Sequence, residues 1–265
     1  MSTLKISLVQ ANLHWENKKA NLDNFTSIIN ELKGKTNIVV LPEMYSTGFS
    51  MSPETLAESM EGETVLWMKN ISASTKLIIT GSVIIKDGDN YFNRLIWMLP
   101  NGSMGIYDKR HLFGFAGEDQ HYTSGTKRLI ASVNGWKLNL QVCYDLRFPV
   151  WARQNPMARR EEEPEYDVLI YVANWPERRS HAWKTLLTAR AIENQSYVIG
   201  VNRVGNDGNG IYHSGDSCAI DPMGEILFTK KDEEFVHTIE LTKINLQSVR
   251  EKLPFLKDAD GFMVL

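Results

Sequence analysis

The sequence predicts an α/β protein in which two packed sheets are flanked by helices. The chain begins with an alternating strand at Leu4–Ala11, an amphipathic helix at Asn17–Lys33 and a wholly apolar strand at Asn37–Leu41. This strand–helix–strand order favours parallel pairing, which is typical of α/β proteins. Hairpins follow, and a total of roughly ten to twelve strands and four helices fits two sheets better than one doubly wound sheet.

The middle of the chain is rich in strands. Lys76–Lys86 and Tyr91–Leu99 are strong strands joined by a turn of Asp, Gly and Asn residues, and a helix predicted over Thr64–Thr75 precedes them. Met104–Tyr107 is a third strand. The segment after it, Leu112–Gly125, is longer than the usual connection and contains glycines, which favours a functional loop.

The second half of the chain again alternates strands with helices. An apolar run from Val133 to Val142, broken by Asn134-Gly135, leads to Cys143 and then to the predicted start of a short helix. The later strands are predicted at Asp167–Ala173, Tyr197–Asn202, Asp216–Asp221, Glu225–Thr229 and Glu234–Glu240, and the later helices at Ser180–Gln195 and Thr242–Lys252. The sequence contains no internal repeat and no linker, so we expect residues 1–265 to form one domain.

Composition and charge exclude several classes of protein. The net charge of −3 and the pI of about 6.1 provide no basic field that would attract nucleic acid or an anionic membrane. No apolar run approaches the ~18–20 residues that span a bilayer, and the first residues do not resemble a signal peptide. The two cysteines, Cys143 and Cys218, do not make a disulfide framework. We therefore expect a cytoplasmic protein that binds neither nucleic acid nor membrane.

Cys143 stands where a strand gives way to a polar turn, so its sulfur is expected at the rim of a sheet. Backbone N–H groups after such a strand end can hold a developing negative charge, and the thiolate is the reactive form of cysteine. A lone cysteine is more often a small buried hydrophobe, as we expect for Cys218 in SCAID. A catalytic role for Cys143 therefore requires a base and an oxyanion partner elsewhere in the chain.

Two other polar residues follow strand ends in the same way. Glu43 comes after NIVVLP and Lys109 after GIYD, and such positions gather at one rim of an α/β sheet. Taken singly, either residue would more often be a solvated surface charge. The 6 histidines show no local pattern that ties one of them to Cys143, whereas a glutamate shielded from water can take a thiol proton. A lysine and the N–H of Tyr144 would stabilise the oxyanion.

The motifs LPEM, YDKRHLF and VCYDLRFPVW together resemble the Glu–Lys–Cys triad of the nitrilase, or carbon–nitrogen hydrolase, superfamily. The resemblance covers essentially the whole chain. It implies a four-layer αββα sandwich that dimerises through its cysteine-side helices, and a thioester chemistry that releases an amine before hydrolysis. It assigns Glu43 as general base, Lys109 as oxyanion stabiliser and Cys143 as nucleophile. It also matches Glu118, otherwise an exposed loop acid, to a second glutamate that positions substrate or relays a proton.

Four longer segments are similar to the bacterial omega-amidase-like members: YVANWPERRSHAW, LLTARAIENQSYV, NRVGNDGNG and REKLPFLKDADGF. Those enzymes hydrolyse the side-chain amide of 2-oxo acids such as 2-oxoglutaramate and 2-oxosuccinamate. Such a substrate carries a carboxylate, and Arg178 and Arg179 are candidates to bind it. Trp175 and Phe115 are candidates for the pocket wall. All four side chains could instead be surface or packing residues.

We expect Asp145 and Arg147 to brace the turn after Cys143, the nucleophile turn, by hydrogen bonds rather than to touch substrate.

The segment Asn155–Glu165, which contains the charged run RREEEPE, is longer than the family's usual link. It is expected to be a solvated surface excursion, which could alter the dimer face or the access of substrate.

Several other functions remain open at this stage. Within the superfamily, the alternatives are an N-carbamoylamine amidase, for which the far end of the pocket should be acidic, and a true nitrilase. Loss of a triad residue would favour a non-catalytic binding member, but all three residues are present. A metal-dependent hydrolase is the other enzyme class, although the sequence has no CxxC, HExxH or phosphate-loop motif. We therefore expect no cofactor, an amide substrate, and a Lys109→Ala variant that acylates slowly with little change in stability.

Overall fold

Two β-sheets packed face to face form the centre of the computed structural model, which describes residues 2–156 and 163–264. The strands are β1 (Thr3–Gln10), β2 (Ile38–Val40), β3 (Ile78–Asp87), β4 (Asn90–Met98), β5 (Met104–Asp108), β6 (Leu129–Val133), β7 (Trp136–Val142), β8 (Val168–Ala173), β9 (Tyr197–Asn202), β10 (Val204–Asn206), β11 (Tyr212–Ile220), β12 (Ile226–Lys231) and β13 (Phe235–Thr242). The α-helices are α1 (Lys18–Glu31), α2 (Pro53–Leu56), α3 (Glu63–Thr75), α4 (Glu118–His121), α5 (Pro149–Ala152), α6 (Ser180–Asn194) and α7 (Lys243–Lys252).

Both sheets mix parallel and antiparallel pairs. The first sheet has the order β13-β1-β2-β3-β4-β5, in which β1, β2 and β3 are parallel and the outer pairs are antiparallel. The second has the order β10-β11-β9-β8-β7-β6, with β12 added beside β11, and its parallel strands are β7, β8 and β9. The prediction of a sandwich of two mixed sheets flanked by helices is confirmed.

The alternation of side chains along β1 explains how the layers are held together. Leu4, Ile6 and Leu8 belong to the apolar core between the two sheets, whereas Val9 belongs to a second core beneath α1 and α3. This division follows from the period of two in a strand, which sends alternate side chains to opposite faces. On the outer side of the second sheet, Gly200 of β9 allows α6 to pack closely, because a Cβ there would overlap side chains of that helix.

Two predicted segments differ in detail from the structure. The run from Val133 to Val142 is not one interrupted strand but part of the hairpin β6–β7. Its turn is Asn134-Gly135, and both residues have positive φ (49° and 79°), as a tight two-residue hairpin turn requires. The predicted loop Leu112–Gly125 contains a short 3-10 turn and the helix α4, which fix its conformation near the site described below.

The longer segment Asn155–Glu165 can be followed only at its ends, because residues 157–162 lie outside the described part of the chain. At the second end, the Glu165 carboxylate accepts hydrogen bonds from Arg128 at 2.6 Å and from the N–H of Asn155 at 2.7 Å. Glu165 is therefore not a solvated charge, as the composition of the run suggested. Within the two described ranges, no helix has both the length and the apolar character needed to cross a membrane.

Candidate active site

Four strands deliver polar residues to one rim of the molecule: Glu43 comes shortly after β2, Lys109 after β5, Cys143 after β7 and Asn174 after β8. β5 runs in the same direction as β2 because two antiparallel pairings separate it from β3, which is parallel to β2. β7 and β8 are parallel neighbours in the second sheet. The carboxyl ends of the strands thus converge in pairs, as they do where sites form in α/β proteins.

Cys143 occupies a sharp turn from strand to helix. It is the first residue of a 3-10 turn over Cys143–Arg147 and has φ +45°, in the left-handed region that costs a non-glycine residue roughly 1–3 kcal/mol. Its side chain is buried yet lines a cavity. The next residue, Tyr144, lies in the first turn, where backbone N–H groups have no acceptor within the helical segment. The turn thus presents a sulfur and an N–H donor side by side.

Asp145 holds this turn in place, as the sequence predicted. Its Oδ2 accepts hydrogen bonds from the N–H of Val142 at 3.0 Å and from the hydroxyl of Tyr107 at 2.7 Å. Its Oδ1 accepts the N–H of His111 at 3.0 Å and lies 2.8 Å from the Nδ1 of that ring. This buried carboxylate therefore ties the strand end and the loop after β5 to the turn that carries Cys143.

Glu43 is fully buried, and every oxygen of its carboxylate has a donor. Oε1 accepts from the Nζ of Lys109 at 2.9 Å and from the Nδ2 of Asn93 at 2.8 Å. Oε2 accepts from the backbone N–H of Asn174 at 2.8 Å. Because Oε1 already has two donors and Oε2 has one, Oε2 retains a free lone pair for a further proton donor.

A second buried glutamate, Glu118, lies on the other side of Lys109. The Nζ of Lys109 lies 2.9 Å from its Oε1 and 2.8 Å from its Oε2, and the N–H of Phe113 donates to Oε2 at 2.6 Å. Burial raises the pKa of the Glu118 carboxyl, and the charge of Glu43 acts in the same direction. Burial would lower the pKa of the Lys109 ammonium, but the two carboxylates outweigh it and hold that pKa above its usual range. Lys109 is therefore a permanent cation between two acids.

The thiol of Cys143 is kept protonated by its surroundings. Burial raises the pKa of the thiol well above its ordinary value, and the adjacent Glu43 raises it further, against weaker opposing effects of Lys109 and the N–H of Asn174. A resting thiol of this kind reacts only when a neighbouring group takes its proton. Glu43 is the carboxylate placed to do so.

The cavity in front of Cys143 has a volume of about 270 Å³ and brings together most of the residues singled out from the sequence. Besides Cys143 and Lys109, its walls include all five predicted substrate-binding residues: Phe115, Tyr144, Trp175, Arg178 and Arg179. Phe115 is 81% exposed at the mouth, whereas Trp175 is buried. Glu43 and Glu118 lie behind this wall and contact the cavity through Lys109.

Three arginines make one side of the cavity positive. Arg147 lines it together with Arg178 and Arg179, and its guanidinium lies 5.1 Å from the ring centre of Trp175. The expectation that Arg147 braces the nucleophile turn rather than touching substrate stays a prediction, and the structure adds that its side chain extends over the indole and lines the cavity. Burial lowers the pKa of Arg179, and the charges of Arg178 and Arg147 lower it further, which shows that the three charges interact.

The rest of the cavity wall adds little charge. Among its described residues, Asp207 is the one acid, and its Oδ1 accepts the N–H groups of Asn209 and Ile211. His213 is buried in the wall, and burial together with the charge of Arg203 lowers its pKa to about 4. The imidazole is therefore neutral near pH 7. The arginine side of the cavity has no matching acidic side.

Sequence reasoning missed two asparagines of the site. Asn174 follows β8 just as Cys143 follows β7, so the rule of polar residues at strand ends could have found it. Its Nδ2 donates to the carbonyl oxygen of Glu43 at 2.5 Å, in addition to the backbone contact described above. Asn93 lies inside β4, and its one local signal is a polar residue within an apolar strand.

The described ranges contain no group of three or more His, Cys, Asp or Glu side chains arranged to hold a metal ion. The charged centre formed by Glu43, Lys109, Glu118 and Cys143 combines two carboxyl groups, an ammonium group and a thiol. Its arrangement can take a proton from a thiol and stabilise negative charge on a bound carbonyl oxygen.

Comparison with known proteins agrees with this geometry. The carbon-nitrogen hydrolase family model matches residues 5–252. The omega-amidase YafV of Yersinia enterocolitica is 42% identical over 266 residues, with 100% of both chains covered. A 2-oxoglutaramate amidase of Bacillus subtilis is 28% identical, with 96% of each chain covered.

A solved structure extends the comparison to the backbone. It is XC1258 from Xanthomonas campestris, a carbon-nitrogen hydrolase superfamily protein with an arsenic adduct in its active site. That protein is 41% identical, covers 100% of both chains and superposes with a TM-score of 0.98. The chain is therefore a member of the carbon-nitrogen hydrolase family, the nitrilase superfamily, and a cysteine amidohydrolase of the omega-amidase-like branch.

Proposed function

We propose that the protein hydrolyses the side-chain amide of small 2-oxo dicarboxylic acid monoamides, 2-oxoglutaramate and 2-oxosuccinamate, to the dicarboxylate and ammonia. One observation carries this choice of substrate: three arginines line the cavity that opens onto Cys143. The small cavity volume supports a substrate of this size. The name of the Bacillus subtilis relative, a 2-oxoglutaramate amidase, supports the same substrate class.

The arginines support an anionic end of the substrate. A carboxylate binds a guanidinium through two parallel hydrogen bonds, and such charge-assisted bonds are about twice as strong as neutral ones. Arg179 is half-buried, with its guanidinium 5.1 Å from the ring centre of Phe113, so its position is more restricted than that of the exposed Arg178. N-carbamoylputrescine would instead place its free ammonium against these arginines, which disfavours that alternative substrate.

Acylation starts with transfer of the Cys143 proton to Glu43. The sulfur then attacks the carbonyl carbon of the amide, and the carbonyl oxygen becomes an oxyanion stabilised by Lys109 and the N–H of Tyr144. The proton on Glu43 passes to the amide nitrogen, the C–N bond breaks and ammonia leaves. The acyl group remains on Cys143 as a thioester.

The contacts of Lys109 allow it to serve both the acids and the oxyanion. Its ammonium has three N–H donors, and the two oxygens of Glu118 lie at nearly equal distances from Nζ. One N–H can therefore be shared between these two oxygens while a second donates to Glu43. The third remains for the substrate oxygen in the cavity that Lys109 lines.

Deacylation uses the same groups with water in place of the thiol. Glu43 takes a proton from a water molecule that attacks the thioester carbon, and the oxyanion forms again beside Lys109 and Tyr144. The tetrahedral intermediate then expels the sulfur, which recovers the proton from Glu43. The product leaves as the 2-oxo acid, whose new carboxyl group releases its proton to the solvent or to ammonia, and the free enzyme is restored. The protons therefore balance without a cofactor.

Ammonia release across a panel of substrates tests this proposal. The panel is 2-oxoglutaramate, 2-oxosuccinamate, glutamine, N-carbamoylputrescine and a simple nitrile. We expect the highest kcat/KM for the two 2-oxo acid amides. A preference for N-carbamoylputrescine or for the nitrile would replace the proposal with one of the alternative activities of the superfamily.

We also propose that residues 1–265 act as one domain and that the protein is a homodimer formed through α5 and α6. Two apolar side chains on these helices support the dimer: Val150 is 54% exposed and Ile192 is 52% exposed. Both helices pack against the turn that carries Cys143, and Arg190 of α6 donates to the carbonyl oxygen of Leu146 at 2.6 Å. A dimer face here would support the nucleophile turn from behind.

A further inference from the structure

Asn93 contacts all three charged residues behind the cavity. It lies on β4, is fully buried, and its Nδ2 donates to Oε1 of Glu43 at 2.8 Å and to Oε1 of Glu118 at 3.2 Å. Its backbone oxygen accepts the N–H of Lys109 at 3.0 Å. One residue of the strand next to β5 therefore fixes the positions of both acids and of the backbone of the cation between them.

The orientation of the Asn93 amide follows from its partners. An ionised carboxylate has only acceptors, so the NH₂ group must face Glu43 and Glu118, and the carbonyl oxygen must point away. In agreement, Oδ1 of Asn93 has no hydrogen-bond partner among the described residues. The amide thus donates to both carboxylates while its buried Oδ1 has no donor. An unsatisfied buried acceptor costs free energy, so this arrangement is not expected of a residue that merely fills space.

The two carboxylates need a neutral donor because one cation cannot neutralise both. Oε1 of Glu43 and Oε1 of Glu118 each lie 2.9 Å from the same Nζ, so the acids approach each other closely. Two carboxylates that share a site tend to hold a proton between them, which would consume the base. A carboxamide supplies one N–H to each acid and favours the ionised form of both.

We propose that Asn93 is a positioning residue whose amide holds Oε1 of Glu43, so that Oε2 faces the thiol and can take its proton. This inference rests on the role proposed for Glu43 as the general base. Besides Asn93, the groups that face the two acids are Lys109 after β5, Cys143 after β7, the backbone N–H groups of Phe113 and Asn174, and the Tyr122 hydroxyl. The Tyr122 hydroxyl donates to the carbonyl oxygen of Ser50 at 2.6 Å. Asn93 is the neutral side chain in this set that donates to both acids.

Two readouts test the proposal: the pH profile of kcat/KM for amide hydrolysis, and the pH profile of Cys143 alkylation by iodoacetamide. Alkylation needs the base but not the physiological substrate. In Asn93→Ala, which removes the donor, we expect the acidic limb of both profiles to move up by about one pH unit, because a hydrogen bond to a charged group is worth roughly that much. In Asn93→Asp, which keeps the shape and adds a negative charge, the limb should move further in the same direction.

The matched control is Asn139→Asp. Asn139 is also fully buried, and it lies on β7 between Leu138 and Leu140, whose side chains fill the core between the sheets, so it points to the opposite face. This variant should lower the thermal midpoint without moving the acidic limb. If Asn93→Asp fails to fold, Asn93→Ala still removes the donor without burying a charge.

Failure of the inference can be told apart from failure of the proposed function. If Glu43→Gln keeps the acidic limb of the wild type, Glu43 is not the base and the mechanism itself is wrong. If Glu43→Gln abolishes the limb but Asn93→Ala and Asn93→Asp keep the wild-type limb, Asn93 only fills space and the inference is overturned. If Glu43→Gln abolishes the limb, and the limb moves up in Asn93→Ala and Asn93→Asp but not in Asn139→Asp, the inference is supported.

Discussion

The ammonium nitrogen of Lys109 lies 2.9 Å from Oε1 of Glu43, although 66 residues separate the two along the chain. Both side chains are completely buried. A buried ion pair is expensive to form because both charges lose their hydration, and it persists only when further hydrogen bonds compensate for that loss. Asn93, Glu118 and Asn174 supply those bonds here, so the pair is part of a network rather than a single salt bridge.

The first prediction concerns the nucleophile. Cys143→Ala should abolish ammonia release, because the variant lacks the sulfur that forms the proposed thioester, and the free energy of unfolding should change by only about 1 kcal/mol. The measurement is steady-state ammonia release beside a thermal melt. Cys218→Ala is the matched control, since Cys218 is also buried but lies on β11 within the core, and it should keep its activity. Full activity of Cys143→Ala would contradict the proposed mechanism.

The second prediction revises the expectation that loss of Lys109 changes stability little. Lys109→Met leaves two buried carboxylates without their cation, and removal of one partner of a buried pair costs roughly 3–5 kcal/mol. We expect chemical denaturation near neutral pH to show this loss in the free energy of unfolding. We also expect acylation to be very slow. Adding Glu118→Gln to Lys109→Met should restore part of the stability but none of the activity.

The third prediction gives the pH dependence of the same variant. A buried carboxyl whose folded-state pKa is raised, such as Glu118, stabilises the fold at pH values below its unfolded pKa, and this contribution is lost as the pH rises through the folded pKa. Lys109 is the largest effect that opposes that rise in pKa, and the variant lacks it. The stability difference between Lys109→Met and the wild type should therefore grow from about pH 5 to about pH 8. A difference that is constant with pH would contradict the buried-charge account.

The fourth prediction concerns the anionic end of the substrate. Arg179→Ala should raise KM for 2-oxoglutaramate roughly tenfold, because a charge-assisted hydrogen bond is lost, and should leave KM for the neutral pentanamide almost unchanged. The two substrates have the same number of carbon atoms, so the neutral amide serves as the internal control. Equal effects on both substrates would show that Arg179 maintains the shape of the cavity instead.

The fifth prediction concerns the assembly. Light scattering during gel filtration should give twice the chain mass of 30.2 kDa for the wild type. Val150→Asp and Ile192→Asp should shift the protein towards the monomer, because a carboxylate in an apolar interface loses its hydration. Ile244→Asp on α7 is the control, since Ile244 is similarly exposed at 55% but lies outside the proposed face. A monomeric wild type would refute the proposed dimer.

The sequence alone identified three polar residues that lie at the rim of the sheets. Glu43, Lys109 and Cys143 each follow an apolar strand, and this signal is local because a strand must stop where its pattern of burial stops. The same local logic predicted the mixed sheets and the bracing role of Asp145, whose partners include the residue that precedes the turn. It would also have found Asn174, which follows β8 in the same way.

Only the tertiary structure decided how these groups meet. Asn93 lies within a strand, and its contacts with Glu43 and Glu118 exist because β4 lies between β3 and β5 when the sheet assembles. The direction of Arg147, over the indole of Trp175 and into the cavity, likewise depends on the packing of two loops that are distant in sequence. Neighbours across a sheet or between loops leave no periodic mark in the sequence, because the free energy that selects them comes from burial and hydrogen bonding in the folded state.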